Sequence, residues 1–271
     1  MEIIHASSIT DLYYQALRLL RDKGSMLDSR AGKTVEATNV CSILTDTYSR
    51  LILDRDRKHS LDYLKKEFLW YMLKDPDISF IKKHAKFWGH VTEDSIANSN
   101  YGCSIFSKRF NYGLSSQYDL VKDELTRMPA TRRAWWGYTD DKIYNKMSTT
   151  KDFPCTLMSH FMIRKGKLDQ AVYMRSNDLI YGWCNDLPFF SMMQEMLAVD
   201  LGLEPGILTH MAGSLHIYER HFPLLKSPYM YVQSSREKPW PRMTKDDVDY
   251  LKQLPEVVRS PDTNFLKFLY A

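Results

Sequence analysis

Apolar positions recur at helical spacing over residues 9–23, ITDLYYQALRLLRDK, with Ile9, Leu12, Tyr13, Ala16, Leu19 and Leu20 on one face. Ser8 or Thr10 offers the N-cap and Gly24 the stop. Residues 25–32, SMLDSRAG, are expected to form a polar loop that carries Arg30. The alternation in KTVEATNVCSIL, 33–44, predicts a strand or strand pair. SLDYLKKEFLWYMLK, 60–74, predicts a buried amphipathic helix capped by Ser60 and stopped by Asp75-Pro76. A short helix is expected over DISFIKKHAKFW, 77–88, and a polar loop over 90–101. SQYDLVKDELTR, 116–127, is a further helix closed by Met128-Pro129; ATRRAWWGY, 130–138, turns strand-like, and 141–152 reads as a polar loop.

The second half is more apolar. TLMSHFMIR, 156–164, and LDQAVYMR, 168–175, form a strand pair joined by Lys165-Gly166-Lys167, a hairpin. PFFSMMQEMLAVDLG, 188–202, is apolar nearly all round, which places a helix in the domain centre. Its Met and Phe stripe is core rather than a cofactor box. ILTHMAGSLHIY, 207–218, reads as a buried strand, and TKDDVDYLKQL, 244–254, as a last helix in a Pro- and charge-rich tail. With no internal repeat, low-complexity tract or clear linker, residues 1–271 are expected to form one α+β domain around a mostly buried sheet.

Composition adds bounds. The 271 residues are 44% apolar and 26% charged, ordinary for a soluble domain. The formal charge of +4 suits an anionic small molecule and is too weak to argue for a nucleic-acid surface. The start, MEIIHASSITDLYYQ, lacks the basic leader and apolar core of a secretory signal, and there is no 18-residue apolar run. A cytoplasmic protein without a membrane span is therefore expected. Cys41, Cys103, Cys155 and Cys184 are widely spaced, with no CxxC and no metal-ligand spacing, so free thiols and no metal are expected.

The candidate chemistry centres on residues 153–186. Cys155 follows Pro154 at a loop-to-strand junction. A lone Cys is ordinarily a small buried hydrophobe; use as a nucleophile requires a pKa lowered by a neighbouring cation. Arg30, Arg132-Arg133 and Arg175-Ser176 each read singly as surface charge. Converging from separate loops, arginines hold a monophosphate through forked hydrogen bonds. The chain has no P-loop or GxGxxG, so neither a triphosphate nor a dinucleotide is suggested. A helix Glu such as Glu67 is ordinarily solvated, and Asp178 and Asp186, flanking Tyr181-Gly182-Trp183, read as turn caps. His216 and Tyr218 alternate on one strand face, as a core pair or as partners for a sugar hydroxyl.

In that order and spacing the motifs resemble the thymidylate synthase family from about residue 12 to 220: Pro154-Cys155, GKL at 166–168, RSND at 175–178, Gly182, GSLHIY at 213–218, with EFLWYM at 67–72, NYG at 100–102 and Arg132-Arg133. The resemblance implies a large mixed β-sheet packed against helices, and a sheet-on-sheet homodimer with shared active sites. It implies a pyrimidine nucleoside monophosphate as substrate and 5,10-methylenetetrahydrofolate as co-substrate. Cys155 would attack C6. Arg30, Arg175 and Ser176 would bind phosphate, and Arg132 and Arg133 the phosphate of the neighbouring subunit. His216 and Tyr218 would hold the sugar 3′-hydroxyl. Glu67 would order the proton network, Trp88, Asp178 and Gly182 would contact folate, and Tyr101 would lie near Cys155.

Two positions depart from the thymidylate synthase pattern. Thr156 stands where those enzymes carry His, and Asp186, eleven residues after Arg175, stands where they carry the Asn that reads uracil. A carboxylate accepts from the N4 amino group of cytosine and, protonated, donates to N3. In both respects, and in NSNYG at 98–102, the chain is similar to the phage deoxycytidylate hydroxymethylases, which finish with water instead of hydride. The expected substrate is dCMP and the expected products are 5-hydroxymethyl-dCMP and tetrahydrofolate. A dCMP methyltransferase releasing dihydrofolate, a CMP hydroxymethylase, a dUMP enzyme and a non-catalytic nucleotide- or RNA-binding protein are the alternatives.

Overall fold

The computed structural model describes residues 1–54, 56–92, 94–106, 115–228 and 241–257, with side chains to 254. The tail sequence LKFLYA lies outside the described residues. The chain runs β1 (Glu2–Ala6), α1 (Ile9–Lys23), β2 (Ser25–Ser29), β3 (Gly32–Leu44), α2 (Leu61–Leu73), α3 (Trp88–Val91), α4 (Tyr101–Phe106), α5 (Gln117–Arg127), β4 (Trp135–Gly137), α6 (Asp141–Tyr144), β5 (Thr156–Arg164), β6 (Lys167–Met174), β7 (Asn177–Asp178), α7 (Cys184–Asp200), β8 (Glu204–Tyr218) and α8 (Lys245–Val257). These strands make one mixed sheet in the order β1-β3-β8-β6-β5-β4, with β2 added on β3 and β7 on β8.

Local chemistry sets most element ends. The Ser8 hydroxyl accepts the Asp11 N–H at 3.1 Å, so Ser8 rather than Thr10 caps α1. Ser60 caps α2 in the same way, and Ser116 with Asp119 forms a capping box on α5. Lys165 (φ 51°) and Gly166 (φ 73°) make the two-residue turn between β5 and β6; Lys167 already belongs to β6.

Several segments differ from expectation. Residues 25–29 are a strand rather than loop, because β3 supplies a paired edge: Ser25 faces Glu36 and Ser29 faces Gly32. Residues 33–44 belong to one long strand. The span 77–88 holds only a 3-10 turn at Ile81–Lys83, with α3 starting at Trp88, and the 141–152 segment contains α6. The strand expected over 130–138 shortens to three residues. The central helix begins at Cys184, after a π-helical turn over Leu179–Trp183, and so takes in Asp186.

Helix α7 is the centre of the core. Every residue from Leu187 to Ala198 is buried, so the nearly uniform apolar run is required rather than incidental. Two polar side chains on α7 fasten it to its surroundings. Gln194 Nε2 donates to the carbonyls of Leu168 (2.7 Å) and Ile207 (3.2 Å), joining β6 and β8 beneath the helix. Glu195 accepts the Met243 N–H at 2.7 Å and meets Arg50 at 2.8 Å, both side chains fully buried. Arg50 in turn donates from Nε to the Thr47 carbonyl.

Strand β8 carries the site-bearing end of the sheet. Its inward residues are Leu208, His210 and Ala212, then Leu215 and Ile217, so the buried parity changes at Gly213-Ser214. A Cβ on Gly213 would lie 2.8 Å from the Arg175 carbonyl, and Asn39, opposite on β3, adopts φ 54°. Close approach of the Arg175 backbone thus needs the glycine.

The Arg50–Glu195 pair gives a stability prediction. Arg50→Met should destabilise the protein by about 3–5 kcal/mol, because it strands the Glu195 carboxylate in the core. Adding Glu195→Met should recover most of that loss in urea unfolding.

Candidate active site

Cys155 sits where β5 begins, and the end of β6 pins it. The Arg175 N–H donates to the Cys155 carbonyl at 2.9 Å. The Arg175 guanidinium reaches back to the carbonyls of Pro154 (3.1 Å) and Phe153 (2.8 Å), and lies over the Phe153 ring. From the other side, Ser99 donates through its N–H (3.0 Å) and hydroxyl (2.6 Å) to Asp152, and Asn98 donates to the Asp152 carbonyl. The NSNYG motif therefore holds the approach to Cys155. Its Gly102 packs so closely on α2 that a Cβ would overlap the Tyr71 carbonyl, and Asn100 accepts the Cys103 N–H to start α4.

Burial pushes the Cys155 thiol up, Arg175 pulls it down, and the Asp186 and Asp152 carboxyls push it up again. The resting group is a thiol, and Arg175 is the cation available to stabilise a thiolate. Thr156, the departure at the next position, donates its hydroxyl to Tyr101 Oη at 2.8 Å. The Tyr101 ring stacks on Tyr71 and senses the charge of Cys155 and Asp186.

Two carboxyls face this group. Glu67 on α2 is buried, unlike an ordinary helix Glu, and accepts from the Tyr63 hydroxyl at 2.6 Å. Trp88 Nε1 donates to Tyr63 Oη at 3.1 Å, so Trp88, Tyr63 and Glu67 form a chain. Desolvation raises the Glu67 pKa to about 8, opposed by the Tyr63 hydrogen bond. Asp186, half-buried in the first turn of α7, is raised to about 7 by desolvation, with Asn177 opposing and Asp178 reinforcing the shift. Asp186 is thus a helix residue rather than a turn cap. Asp178 does cap, accepting the Ile180 N–H at 3.0 Å.

The pair expected to hold the sugar hydroxyl lies along β8. His216 is buried, with its ring edge-on to Tyr218 and Nδ1 3.3 Å from the Ser214 hydroxyl, which donates to Glu36. Burial lowers the His216 pKa. Thr34, just after the β2–β3 turn, pairs with Tyr218, so the tip that carries Arg30 lies beyond this end of β8. Ser176 is half-buried next to Arg175. Arg132 and Arg133 do not join the group: they are exposed just before β4, the edge strand beside β5, with the Arg132 carbonyl 3.2 Å from the His160 ring nitrogen.

The structure therefore gathers Cys155, Arg175, Tyr101, Glu67 and Asp186, with Asp178 and Gly182 beside them. Trp88 reaches the group through Tyr63. Sequence reading missed Tyr63, although it stands four residues before Glu67, the spacing that makes helix neighbours meet. It also passed over His210 and Asn177, whose link spans 33 positions and has no local signal. Among the described residues no three His, Cys, Asp or Glu side chains group as metal ligands would, and no helix is long and apolar enough to cross a membrane.

A family model described as thymidylate synthase matches residues 11–254. Deoxycytidylate 5-hydroxymethyltransferase of Enterobacteria phage T4 is 31% identical over 218 residues, spanning 76% of this chain and 84% of that protein. Deoxyuridylate hydroxymethyltransferase of Bacillus phage SP01 is 29% identical over 226 residues, spanning 80% of this chain and 59% of that protein. In three dimensions, thermostable thymidylate synthase A from Bacillus subtilis aligns with a TM-score of 0.69 at 21% identity, over 86% of this chain and 87% of that one. The large mixed sheet with its helices is the same fold.

The raised carboxyl pKa values make stability depend on pH. The folded state holds protons on Glu67 (about 8 against an ordinary 4.5) and Asp186 (about 7 against 3.8) that the unfolded chain releases. Their favourable contribution is complete below about pH 4 and lost as pH rises to about 8. For Glu67 the full loss is at most about 5 kcal/mol. Unfolding midpoints should fall between pH 5 and 8, and Glu67→Gln should flatten the decline. An unchanged slope in that variant would place Glu67 in water.

Proposed function

The chain belongs to the thymidylate synthase family, and from that premise we propose that it converts dCMP, 5,10-methylenetetrahydrofolate and water to 5-hydroxymethyl-dCMP and tetrahydrofolate. One observation carries the choice of base: at the position eleven residues after Arg175 the chain places a carboxyl, Asp186, within the same group as Cys155. Cytosine offers an amino donor at N4 and an acceptor at N3; uracil offers the reverse. A carboxylate suits the first and repels the O4 of the second. With relatives named for deoxycytidylate and for deoxyuridylate at similar identity, overall likeness leaves the base open. Asp186 is the residue that tips it.

In this reading the Cys155 sulfur adds to C6 of the ring, with Arg175 favouring its ionised form, and the C5 carbon becomes the nucleophile. Folate supplies the one-carbon unit that C5 takes up. Asp178 and Gly182 border the site where folate would lie; Trp88 is nearly buried and acts through Tyr63. Glu67, kept protonated near neutral pH by burial, is placed to give and recover a proton. Arg30, Arg175 and Ser176 would hold the phosphate, and His216 and Tyr218 the sugar hydroxyl. Arg132 and Arg133, exposed and away from Cys155, would serve the phosphate of a second copy in a homodimer.

The test is product identification by mass spectrometry from dCMP and 5,10-methylenetetrahydrofolate. The expected product carries a hydroxymethyl group, with no rise in dihydrofolate absorbance; dihydrofolate formed with product would make the enzyme a dCMP methyltransferase instead. Cys155→Ala should abolish tritium release from C5-labelled dCMP. Asp186→Asn should move the dCMP to dUMP preference toward dUMP by about 10²-fold or more. Equal turnover of the two nucleotides by the native protein would remove Asp186 as the base reader, and faster turnover of CMP would make the substrate a ribonucleotide.

A further inference from the structure

Behind Asp186 lies a polar pair that the reaction outlined above does not use. Asn177 on β7 and His210 on β8 are both almost fully buried. As placed, Asn177 Nδ2 lies 3.0 Å from Met174 Sδ and 3.3 Å from His210 Nε2, and His210 Nε2 lies 3.1 Å from the same sulfur. Asn177 Oδ1 and His210 Nδ1 are buried with no hydrogen-bond partner. The Asn177 oxygen points toward Gly182: a Cβ there would lie 2.2 Å from Asn177 Oδ1 and 3.3 Å from Asp186 Oδ2. The absent side chain at Gly182 is what lets the amide approach the carboxyl.

Proton bookkeeping decides how this pair is arranged. Burial lowers the His210 pKa to about 3, so the ring is neutral and carries one N–H. The oxygen and nitrogen of an amide exchange places by a half-turn, so the available hydrogen bonds set their positions. With the proton on Nδ1, His210 buries an unpartnered N–H, and the Asn177 oxygen faces the Asp186 carboxylate as a second acceptor. With the proton on Nε2, His210 donates to the Asn177 oxygen, and the Asn177 N–H turns to Asp186. The second arrangement leaves only the bare Nδ1 acceptor without a partner, and buried unpartnered groups are costly. The groups facing Asp186 are Glu67, Cys155, Asp178 and the phenols of Tyr63, Tyr71, Tyr101 and Tyr138. None is a cation, and among the neutral donors Asn177 is the one that pulls the Asp186 pKa down.

We propose that His210 and Asn177 are positioning residues for base choice: His210 orients the Asn177 amide, whose N–H fixes Asp186 as an ionised acceptor for the 4-amino group of cytosine. This rests on the reading of Asp186 as the base reader. It extends that reading to two buried residues given no part in the reaction above.

The decisive experiment follows the Asp186 carboxyl carbon by NMR in protein labelled at Asp, assigned by its loss in Asp186→Asn. In Asn177→Leu, which keeps the side-chain volume and removes the amide, the Asp186 titration should move up by about one pH unit, equivalent to a tenfold change in ionisation. The dCMP kcat/KM at pH 7 should fall about tenfold with a smaller effect on dUMP. His210→Gln, which restores an N–H donor, should titrate near the native value, whereas His210→Leu should follow Asn177→Leu. If Asn177→Leu does not fold, Asn177→Ala, which also removes the donor, carries the same test. An unmoved Asp186 titration in a folded variant, or equal losses on dCMP and dUMP, would reduce the pair to packing and overturn the proposal. Should the native protein fail to turn over dCMP, the substrate assignment fails separately, and the titration still decides whether Asn177 holds Asp186 ionised.

Discussion

Taking carboxyl groups out of water is the constraint around which this site is built. Glu67 and Asp186 stand among aromatic side chains, where the charged forms are penalised and both pKa values climb toward or past neutrality. Hydrogen-bond donors offset part of that cost, and they come from separate elements. Tyr63 and, behind it, Trp88 support Glu67. Asn177, in the arrangement proposed above, supports Asp186. A carboxyl whose pKa lies near the working pH is suited to proton transfer, and one held beside a pyrimidine is suited to reading its edge.

The proposed nucleophile is placed by different means. Cys155 belongs to a junction that three tethers hold: the Arg175 backbone, the Arg175 guanidinium and the Ser99–Asp152 contacts. Arg175 therefore has two jobs. It braces the Pro154-Cys155 segment through carbonyls, and its charge counters the rise in the thiol pKa. Glycine makes several of these approaches possible. Gly213 admits the Arg175 carbonyl, Gly102 admits the end of α2, and Gly182 admits the Asn177 amide. A side chain at any of the three would push apart elements that the site needs in contact.

Below the site, α7 joins core and chemistry. Its first turn carries Asp186, and later turns carry Gln194 and Glu195, which fasten strands and the Arg50 guanidinium. One buried helix thus links the residue proposed to read the base to the packing of the whole sheet.

Much was legible along the chain because it depends on neighbours in sequence. The caps at Ser8 and Ser60, the Lys165-Gly166 turn, the buried central helix and the long strand at 207–218 follow from local hydrogen bonds and from apolar periodicity. The ordered motifs around Cys155, Arg175 and Gly182 likewise carried the family. What the tertiary structure decided are the relations between distant segments. The 25–29 segment became a strand only because β3 offered it an edge. Glu67 became a buried acid only because other elements closed over α2. Asn177 and His210 met only when β7 and β8 paired. Periodicity reports which face of an element is apolar, but the desolvation and the donors that fix a carboxyl's charge come from elements far away in the chain. For that reason the sequence determined which residue types the site holds, and the fold determined their charge and their partners.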